Sequence, residues 1–210
     1  MKLAIYGAGG HGRVVADAAD LSGIWSEIIF FDDAYPDFKC SGRWPVIGRL
    51  VDLMSIVSTY DGIVVAVGAC DERLRLLELI QAGGGNIVSV VHPSAVIASD
   101  CSLGDGVVVC ALSVINTGSS IGNGVIINTS ATIDHDTHLA DGVHISPGAH
   151  LAGGVTVGLS SWIGIGAIIK QQVIIGDQVV VGAGAVVLKN VQSGLTVVGV
   201  PSTPIYSGLE

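Results

Sequence analysis

Residues 127–145 read I-N-T-S-A-T-I-D-H-D-T-H-L-A-D-G-V-H-I, and an aliphatic side chain returns at every sixth position of this stretch. The same spacing extends from Val91 to Val187, through seventeen successive hexads without a slip. A fixed period indicates a repeat architecture, in which each unit buries its apolar face against its neighbours. Three hexads make one triangular coil of 18 residues. The pattern therefore predicts a parallel β-helix of hexapeptide repeats, with the aliphatic side chains along its axis.

Glycine often follows the aliphatic position directly. Six hexads show this, at Gly104, Gly122, Gly158, Gly164, Gly176 and Gly182. Because glycine adopts backbone conformations that other residues avoid, we expect these glycines to allow the corner turns of the coil.

The composition raises the question of a membrane. Only 13% of the residues are charged, against about 25% in ordinary soluble domains, and the segments 106–133 and 142–169 each run 28 residues without a charge. Glycine and polar residues interrupt both segments, however, and a six-residue period is not helical. Residues 1–6 also lack the roughly 7–15 apolar residues of a secretory signal. We therefore expect a cytoplasmic protein that does not insert into a membrane.

Charge and cysteine usage narrow the class of ligand. A net charge of −9 argues against nucleic acid as a partner, since that ligand requires a basic face. It does not argue against phosphates, which backbone N–H groups can bind. The four cysteines have no close metal-binding spacing, so we expect reduced thiols and no bound metal.

Residues 1–90 follow a different pattern, in which short apolar runs alternate with helix-like segments. The expected strands are Leu3–Tyr6, Ile28–Phe31, Ile63–Val67 and Ile87–Val90, and the expected helices are Arg13–Leu21, 49–58 and Glu72–Ala82. This alternation predicts a small α/β Rossmann-like domain with a parallel sheet, followed by the β-helix and a C-terminal tail over residues 91–210. Right-handed crossovers would bring the turn Gly7–Gly12, the pair Asp32-Asp33 and Gly68 to one edge of the sheet.

Three stretches resemble the bacterial sugar O- and N-acyltransferases that carry a left-handed β-helix. They are Ile5–Gly12, Phe31–Asp33 and Asn128–Leu151. The resemblance is nearest to the N-acetyltransferases of UDP-4-amino-4,6-dideoxy sugars in bacillosamine-type pathways, and it extends to sialic acid O-acetyltransferases. It implies acetyl-CoA as co-substrate, a nucleotide amino sugar as acceptor, and a homotrimer with active sites between adjacent β-helices.

His135 is the first candidate for chemistry. It is the third residue of its hexad, near a predicted corner, and an imidazole is suited to act as a general base near neutral pH. A carboxylate on its second ring nitrogen would fix the tautomer and raise the basicity. The resemblance gives that role to Asp136, while Asp134 remains a rival partner.

Gly153 lies 18 residues beyond His135, so it should stack directly on it, about 4.8 Å away. Its N–H could stabilise an oxyanion formed from the thioester. The resemblance further implies that His144 contacts the thioester or pantetheine of acetyl-CoA. It also implies that Ile165 and Ala183, which repeat at 18 residues after Pro147, line the CoA groove of the neighbouring subunit.

The glycine turn has two interpretations. Its form, with Asp32 about 20 residues further on, fits a dinucleotide fingerprint, although some 90 residues make only half of such a domain. The resemblance implies instead a sugar-nucleotide site, with His11 against the phosphates and Asp32 and Asp33 against the ribose or base. The expected contacts are Ala8, Gly9, Gly10, His11, Asp32, Asp33 and Gly68.

We therefore expect an acetyl-CoA-dependent N-acetyltransferase that modifies the 4-amino group of a UDP-linked 4-amino-4,6-dideoxy sugar. O-acetylation of sialic acid or another sugar, and N-acetylation of a GDP-perosamine-type substrate, are alternatives. A non-catalytic β-helix used for binding is an alternative from another class.

Overall fold

The computed structural model describes residues 1–205, so the end of the predicted C-terminal tail lies outside the described residues. Its first part is a five-stranded sheet with helices, in the strand order β3-β4-β2-β1-β5. The strands are β1 (Lys2–Tyr6), β2 (Glu27–Phe31), β3 (Cys40–Ser41), β4 (Trp44–Gly48) and β5 (Gly62–Val65). The helices are α1 (Gly10–Leu21), α2 (Leu50–Ser55) and α3 (Cys70–Ala82), with a 3₁₀ turn at Val57–Thr59. β1 pairs in parallel with β2 and β5, as the alternating pattern predicts.

Two details of this part differ from the sequence expectation. The hairpin of β3 and β4 was not predicted, and its second strand extends the parallel sheet beside β2. The strand expected over Ile87–Val90 is wrong. Ile87 makes only an isolated bridge to Ile63, while Val90 pairs with Val108 as part of the β-helix.

The predicted β-helix is confirmed. Each of the seventeen aliphatic positions is the second residue of a two-residue strand, and each strand pairs in parallel with the strand 18 residues away. The strands are β6 (Val90–Val91), β7 (Val96–Ile97), β8 (Ser102–Leu103), β9 (Val108–Val109), β10 (Val114–Ile115), β11 (Ser120–Ile121), β12 (Ile126–Ile127), β13 (Thr132–Ile133), β14 (His138–Leu139), β15 (His144–Ile145), β16 (His150–Leu151), β17 (Thr156–Val157), β18 (Trp162–Ile163), β19 (Ile168–Ile169), β20 (Ile174–Ile175), β21 (Val180–Val181) and β22 (Val186–Val187).

These strands form the three faces of a prism. The first face contains β6, β9, β12, β15, β18 and β21, the second contains β7, β10, β13, β16, β19 and β22, and the third contains β8, β11, β14, β17 and β20. The antiparallel pair β23 (Thr196–Val198) and β24 (Thr203–Ile205) extends the first face. The aliphatic side chains fill the axis in one continuous core.

The corners depend on a different position from the one expected. Every sixth residue from Gly106 to Gly184 has a positive φ, and six of these residues are not glycine: Leu112, Ser130, Asp136, Ser160, Gln172 and Gln178. The glycines directly after the aliphatics, such as Gly122, do not have this conformation. A Cβ at Gly122 would overlap the carboxylate of Asp141 in the next coil, which accepts the backbone N–H of Asn123 at 2.7 Å. These glycines therefore leave room for the stacking of coils and do not provide the turn.

The α/β part packs on one side of the prism. Helix α1 and the sheet cover Val108 and Ile126 of the first face in a shared apolar cluster. Helix α3 lies along the corner between the third and first faces, where Leu74 and Leu77 occupy the space beside Gly124. Within residues 1–205, no helix is both long and apolar enough to cross a membrane.

Candidate active site

His135 lies on the corner between the second and third faces, and its ring is held by the next residue. Nδ1 lies 2.8 Å from a carboxylate oxygen of Asp136. Asp134, the rival partner, instead accepts the backbone N–H of His135 at 2.8 Å and an amide N–H of Asn116 at 3.0 Å. The hydrogen bond to Asp136 and the charge of Asp134 raise the pKa of His135. The ring is therefore oriented and basic, and it is 56% exposed at its side chain.

Gly153 lies directly against the His135 ring, as the 18-residue spacing predicts. A Cβ at this position would overlap Nε2 and Cε1 of His135, so only glycine lets the ring lie where it does. Within residues 1–205, the Gly153 N–H donates to no protein acceptor. The arrangement thus leaves a free imidazole nitrogen and a free backbone donor next to each other.

Ile165 and Ala183 stack on the corner between the first and second faces. The carbonyl of Pro147 accepts the N–H of Gly166 at 3.0 Å, and the carbonyl of Ile165 accepts the N–H of Gly184 at 2.8 Å, which keeps the row in register. Ile165 is 61% exposed. The row is an exposed apolar strip, and it lies on another corner than His135 of the same chain.

The glycine turn connects β1 to α1, and its glycines have different environments. A Cβ at Gly12 would overlap the carbonyl of Gly7, and one at Gly7 would lie 2.8 Å from the carbonyl of Ala66, so both are needed for packing. A Cβ at Gly9 or Gly10 would meet nothing within 4 Å. Helix α1 begins here without a side-chain cap or an acidic residue in its first turn. Its first N–H groups are therefore available to an anion.

The other predicted contacts lie at the same edge of the sheet. One carboxylate oxygen of Asp32 accepts the N–H of Ala8 at 2.8 Å and so braces the glycine turn, while the other accepts the N–H of Ala34 at 2.9 Å in the loop after β2. Asp33 accepts the N–H of Leu50 at 3.0 Å. Burial, together with the Asp33 carboxylate, raises the pKa of the Tyr6 hydroxyl.

His11 and His144 face each other where the glycine turn meets the β-helix. Their ring centroids are 6.4 Å apart, and the ring of His144 stacks on Trp162 at 5.4 Å with an interplanar angle of 7°. Burial and the charge of Arg73 lower the pKa of His11 to about 4 and that of His144 to about 3. Both imidazoles are therefore neutral near pH 7. A residue expected to contact the sugar nucleotide and one expected to contact acetyl-CoA thus lie together at the buried junction of the α/β part and the β-helix.

One chain does not bring all the predicted site residues together. The glycine turn lies over the first face, whereas His135 lies on the opposite corner, between β13 and β14. Within residues 1–205, no group of three or more His, Cys, Asp or Glu side chains could hold a metal ion.

Comparison with known proteins agrees with this architecture. The acetyltransferase domain of PglB from Neisseria gonorrhoeae FA1090, solved in complex with acetyl coenzyme A, is 43% identical and superposes with a TM-score of 0.94 over 97% of this chain and 98% of that chain. The chain belongs to this family of sugar acetyltransferases with a left-handed β-helix.

Further family members support the assignment. PerB from Caulobacter crescentus, in complex with CoA and GDP-perosamine, is 33% identical with a TM-score of 0.93, covering 98% of each chain. The PglD N-terminal domain model matches residues 2–80. The UDP-N-acetylbacillosamine N-acetyltransferase of Bacillus subtilis (strain 168) is 32% identical over 115 residues. That match spans about half the length of the curated relative, 51% of it, and 52% of this chain.

Sequence reasoning missed two residues of the acetyltransferase. Trp162 covers His144 and donates its indole N–H to Ser146 at 2.7 Å. Arg73 is fully buried between α3 and the β-helix. Its position offered a signal, because it lies on the stripe of α3 whose other buried members are Cys70, Leu76, Leu77 and Ile80.

Proposed function

We propose that this chain transfers the acetyl group of acetyl-CoA to the 4-amino group of a UDP-linked 4-amino-4,6-dideoxy sugar. The observation that carries the proposal is the His135 ring, hydrogen-bonded to Asp136 on one side and resting on Gly153 on the other. A family relative named for UDP-N-acetylbacillosamine, and another solved with CoA and GDP-perosamine, support an amino-sugar nucleotide as acceptor.

His135 acts as the general base in this proposal. With Asp136 on Nδ1, the proton of the neutral ring stays on that nitrogen and the lone pair of Nε2 faces the reacting amine. Nε2 accepts a proton from the amine as the new C–N bond forms and the C–S bond of the thioester breaks. The same proton then passes to the sulfur of the departing CoA. The amine attacks the thioester directly, and no acyl group is carried on the protein.

Gly153 contributes the second interaction. Its free N–H can donate to the thioester oxygen as that oxygen gains negative charge, and loss of one such donor costs about 10²–10³-fold in turnover. The exposed strip of Ile165 and Ala183 fits the apolar arm of acetyl-CoA. Because this strip and His135 lie on different corners, we propose that one protomer supplies the base and its neighbour supplies the strip, in a homotrimer.

The sugar nucleotide binds, in this proposal, at the carboxyl edge of the N-terminal sheet. The open space at Gly9 and Gly10 lets phosphates approach the first N–H groups of α1. His11 and the backbone of Ala8 and Gly68 border this space, while Asp32 shapes the turn. A pocket of about 600 Å³ opens beside Asp33 and can take the ribose and base; its lining is Asp33, Arg49, Leu50, Val51, Met54 and Leu79.

In this proposal, sugar-nucleotide binding and acetyl transfer belong to the two parts of the chain that differ in sequence pattern. Residues 1–90 bind the sugar nucleotide, and residues 91–210 carry acetyl transfer. We place the reaction in the cytoplasm, where acetyl-CoA is supplied.

A GDP-linked amino sugar is the second candidate acceptor. The observation in its favour is the match to PerB, which covers 98% of both chains and which was solved with GDP-perosamine.

A thiol-release assay with acetyl-CoA tests the proposal, using UDP- and GDP-linked 4-amino sugars and free sialic acid as acceptors. We expect the highest kcat/KM with the UDP-linked amine. A preference for the GDP-linked amine would select the second candidate, and turnover with sialic acid alone would indicate O-acetylation. Binding of ligands without thiol release from any acceptor would contradict the enzymatic proposal.

The variant His135→Asn tests the base directly. We expect turnover to fall by about 10²–10⁴-fold, the usual contribution of a positioned base, while acetyl-CoA still binds in calorimetry. His138→Asn is the matched control, because His138 is an exposed histidine three residues away whose ring bonds only to Ser120 within residues 1–205. Equal turnover in His135→Asn and His138→Asn would show that His135 is not the general base.

A further inference from the structure

Arg73 is the one arginine of the described residues whose side chain has no access to solvent, at 0% exposure. A guanidinium remains charged in a protein, and a charge removed from water must have its donors satisfied. Within residues 1–205, Arg73 forms no ion pair with a carboxylate. Its environment must therefore consist of strongly oriented backbone dipoles.

The five N–H donors of this guanidinium meet five backbone carbonyls. On the α/β side, Nη1 donates to Val67 at 2.9 Å and to Gly68 at 2.8 Å. On the β-helix side, Nε donates to Gly124 at 2.6 Å, while Nη2 donates to Gly142 at 2.6 Å and to Val143 at 3.4 Å. One side chain thus joins the loop after β5 to two successive coils.

Two glycines form the corner of the β-helix that Arg73 contacts. Gly124 and Gly142 have positive φ and stand 18 residues apart, so they occupy the same corner of consecutive coils. A Cβ at either position would meet Leu74 or Leu77 of α3. The close approach of α3 brings the guanidinium within reach of both corner carbonyls.

The loop that Arg73 holds is the one we assign to the sugar nucleotide. This loop borders the glycine turn, because a Cβ at Gly7 would lie 2.8 Å from the carbonyl of Ala66 and 3.4 Å from Val67. His11 and His144 lie near enough for the Arg73 charge to affect both rings. Within residues 1–205, burial and the charge of Arg73 lower the pKa of both histidines, and His11 lowers that of His144 in addition.

We propose that Arg73 is a positioning residue. It fixes the loop at residues 67–69 to two consecutive corners of the β-helix and thereby holds the sugar-nucleotide site in place. It contacts neither substrate and acts through the loop carbonyls. This inference rests on the proposed function for the identity of the ligand. Lysine cannot replace it, because an ammonium has three donors on one point, while the carbonyls surround a planar fork.

The test compares Arg73→Lys and Arg73→Gln with the wild type at a temperature where all three are folded by circular dichroism. We expect the KM for the sugar nucleotide to rise by about tenfold or more in both variants, as the loop loses its oriented hydrogen bonds. The Kd of acetyl-CoA, measured by calorimetry, should change less than about twofold, because the Ile165 and Ala183 strip does not depend on this loop.

Arg75→Lys is the matched control. Arg75 lies on the same helix, but it is exposed, and its guanidinium bonds to Glu72 alone within residues 1–205. A purely structural role for Arg73 would lower the melting temperature and leave the KM of the folded enzyme unchanged. An unchanged KM for the sugar nucleotide, or equal weakening of both substrates, would overturn the proposal.

Hydrogen exchange on the wild-type protein tests the same coupling without a substitution, should the variants fail to fold. Saturating sugar nucleotide should slow exchange at residues 67–69 and also at 124 and 142–143, since one guanidinium joins them. Exchange that slows only at 67–69 would overturn the proposal. A wild-type protein that neither binds nor acetylates any sugar nucleotide would overturn the proposed function as well, whereas an active enzyme with an unchanged KM in Arg73→Lys contradicts Arg73 alone.

Discussion

The Asp136 carboxylate lies 2.8 Å from Nδ1 of His135, and Asp136 itself is a corner residue with a φ of 56°. Aspartate and asparagine tolerate this left-handed conformation better than most other residues, because their short polar side chains bond locally. The turn that closes the coil thus also brings the carboxylate back onto the preceding ring. Base and orienting acid come from two adjacent residues, and no distant element is needed to hold them together.

Asp136→Asn should separate the electrostatic role of this residue from its backbone role. Asparagine keeps the left-handed corner but removes the charge, so the pKa of His135 should fall towards its ordinary value. A general base works only when unprotonated. The acidic limb of the kcat/KM profile should therefore move to lower pH, and the plateau should drop by about tenfold or more as the base weakens and its tautomer is released.

The control for this variant is Asp177→Asn, which changes an aspartate that caps the backbone N–H of Leu159 on another corner. Its pH–rate profile should match that of the wild type. A profile for Asp136→Asn that keeps the wild-type acidic limb would show that the carboxylate does not act on His135.

Gly153→Ala should inactivate the enzyme without unfolding it. The added Cβ would overlap the His135 ring, which is 56% exposed and can swing towards solvent. The base would then lose its position, at a cost of about 10²-fold in kcat. Ala111 occupies the equivalent third position of another hexad, so Ala111→Gly is the matched control for a change at this kind of corner. A crystal structure of the variant in which the His135 ring has not moved, or a normal kcat in a kinetic assay, would contradict the prediction.

The glycines of the first turn should divide into two classes. Gly10→Ala adds a methyl group to open space at the first position of α1, so the melting temperature should hold or rise slightly. The methyl group would, however, occupy the proposed phosphate site and raise the KM for the sugar nucleotide. Gly12→Ala should destabilise the fold instead, because its Cβ would overlap the carbonyl of Gly7. Thermal unfolding and KM measured on both variants check the prediction, and equal behaviour would contradict it.

The β-helix could be predicted almost residue by residue, because a six-residue period leaves one place for each aliphatic side chain. The structural role of each glycine could not be predicted from the sequence. Gly122 and Asp136 illustrate the reason: the left-handed corner is occupied by any residue that tolerates it, while glycine is required where the next coil comes close. Composition alone does not distinguish these two demands.

The site was predictable where it is local and unpredictable where it is assembled from distant segments. His135, Asp136 and Gly153 follow from adjacency and from the 18-residue repeat. The meeting of His11 with His144 depends on how α1 docks on the first face, which no local pattern encodes. For Arg73, the stripe of α3 indicates burial, but its five acceptors could not be predicted, since they come from segments up to 70 residues away.

Acidification should destabilise the fold through His11 and His144. The pKa of His11 in the folded protein is about 4 and that of His144 about 3, while both take up protons near pH 6.5 in the unfolded chain. Below about pH 6.5 the unfolded state therefore binds more protons, and the free energy of unfolding falls as pH falls towards 4 and 3. Between pH 7 and pH 5 each histidine should remove about 2 kcal/mol. Urea unfolding of His144→Gln should show an acid-induced loss about 2 kcal/mol smaller than that of the wild type. His138→Gln, which changes an exposed ring, is the control and should show the same loss as the wild type. The comparison uses the slope of the free energy of unfolding with pH, so a constant cost of the substitution does not affect it. An equal acid-induced loss in His144→Gln and the wild type would mean that the buried imidazole of His144 is not the source.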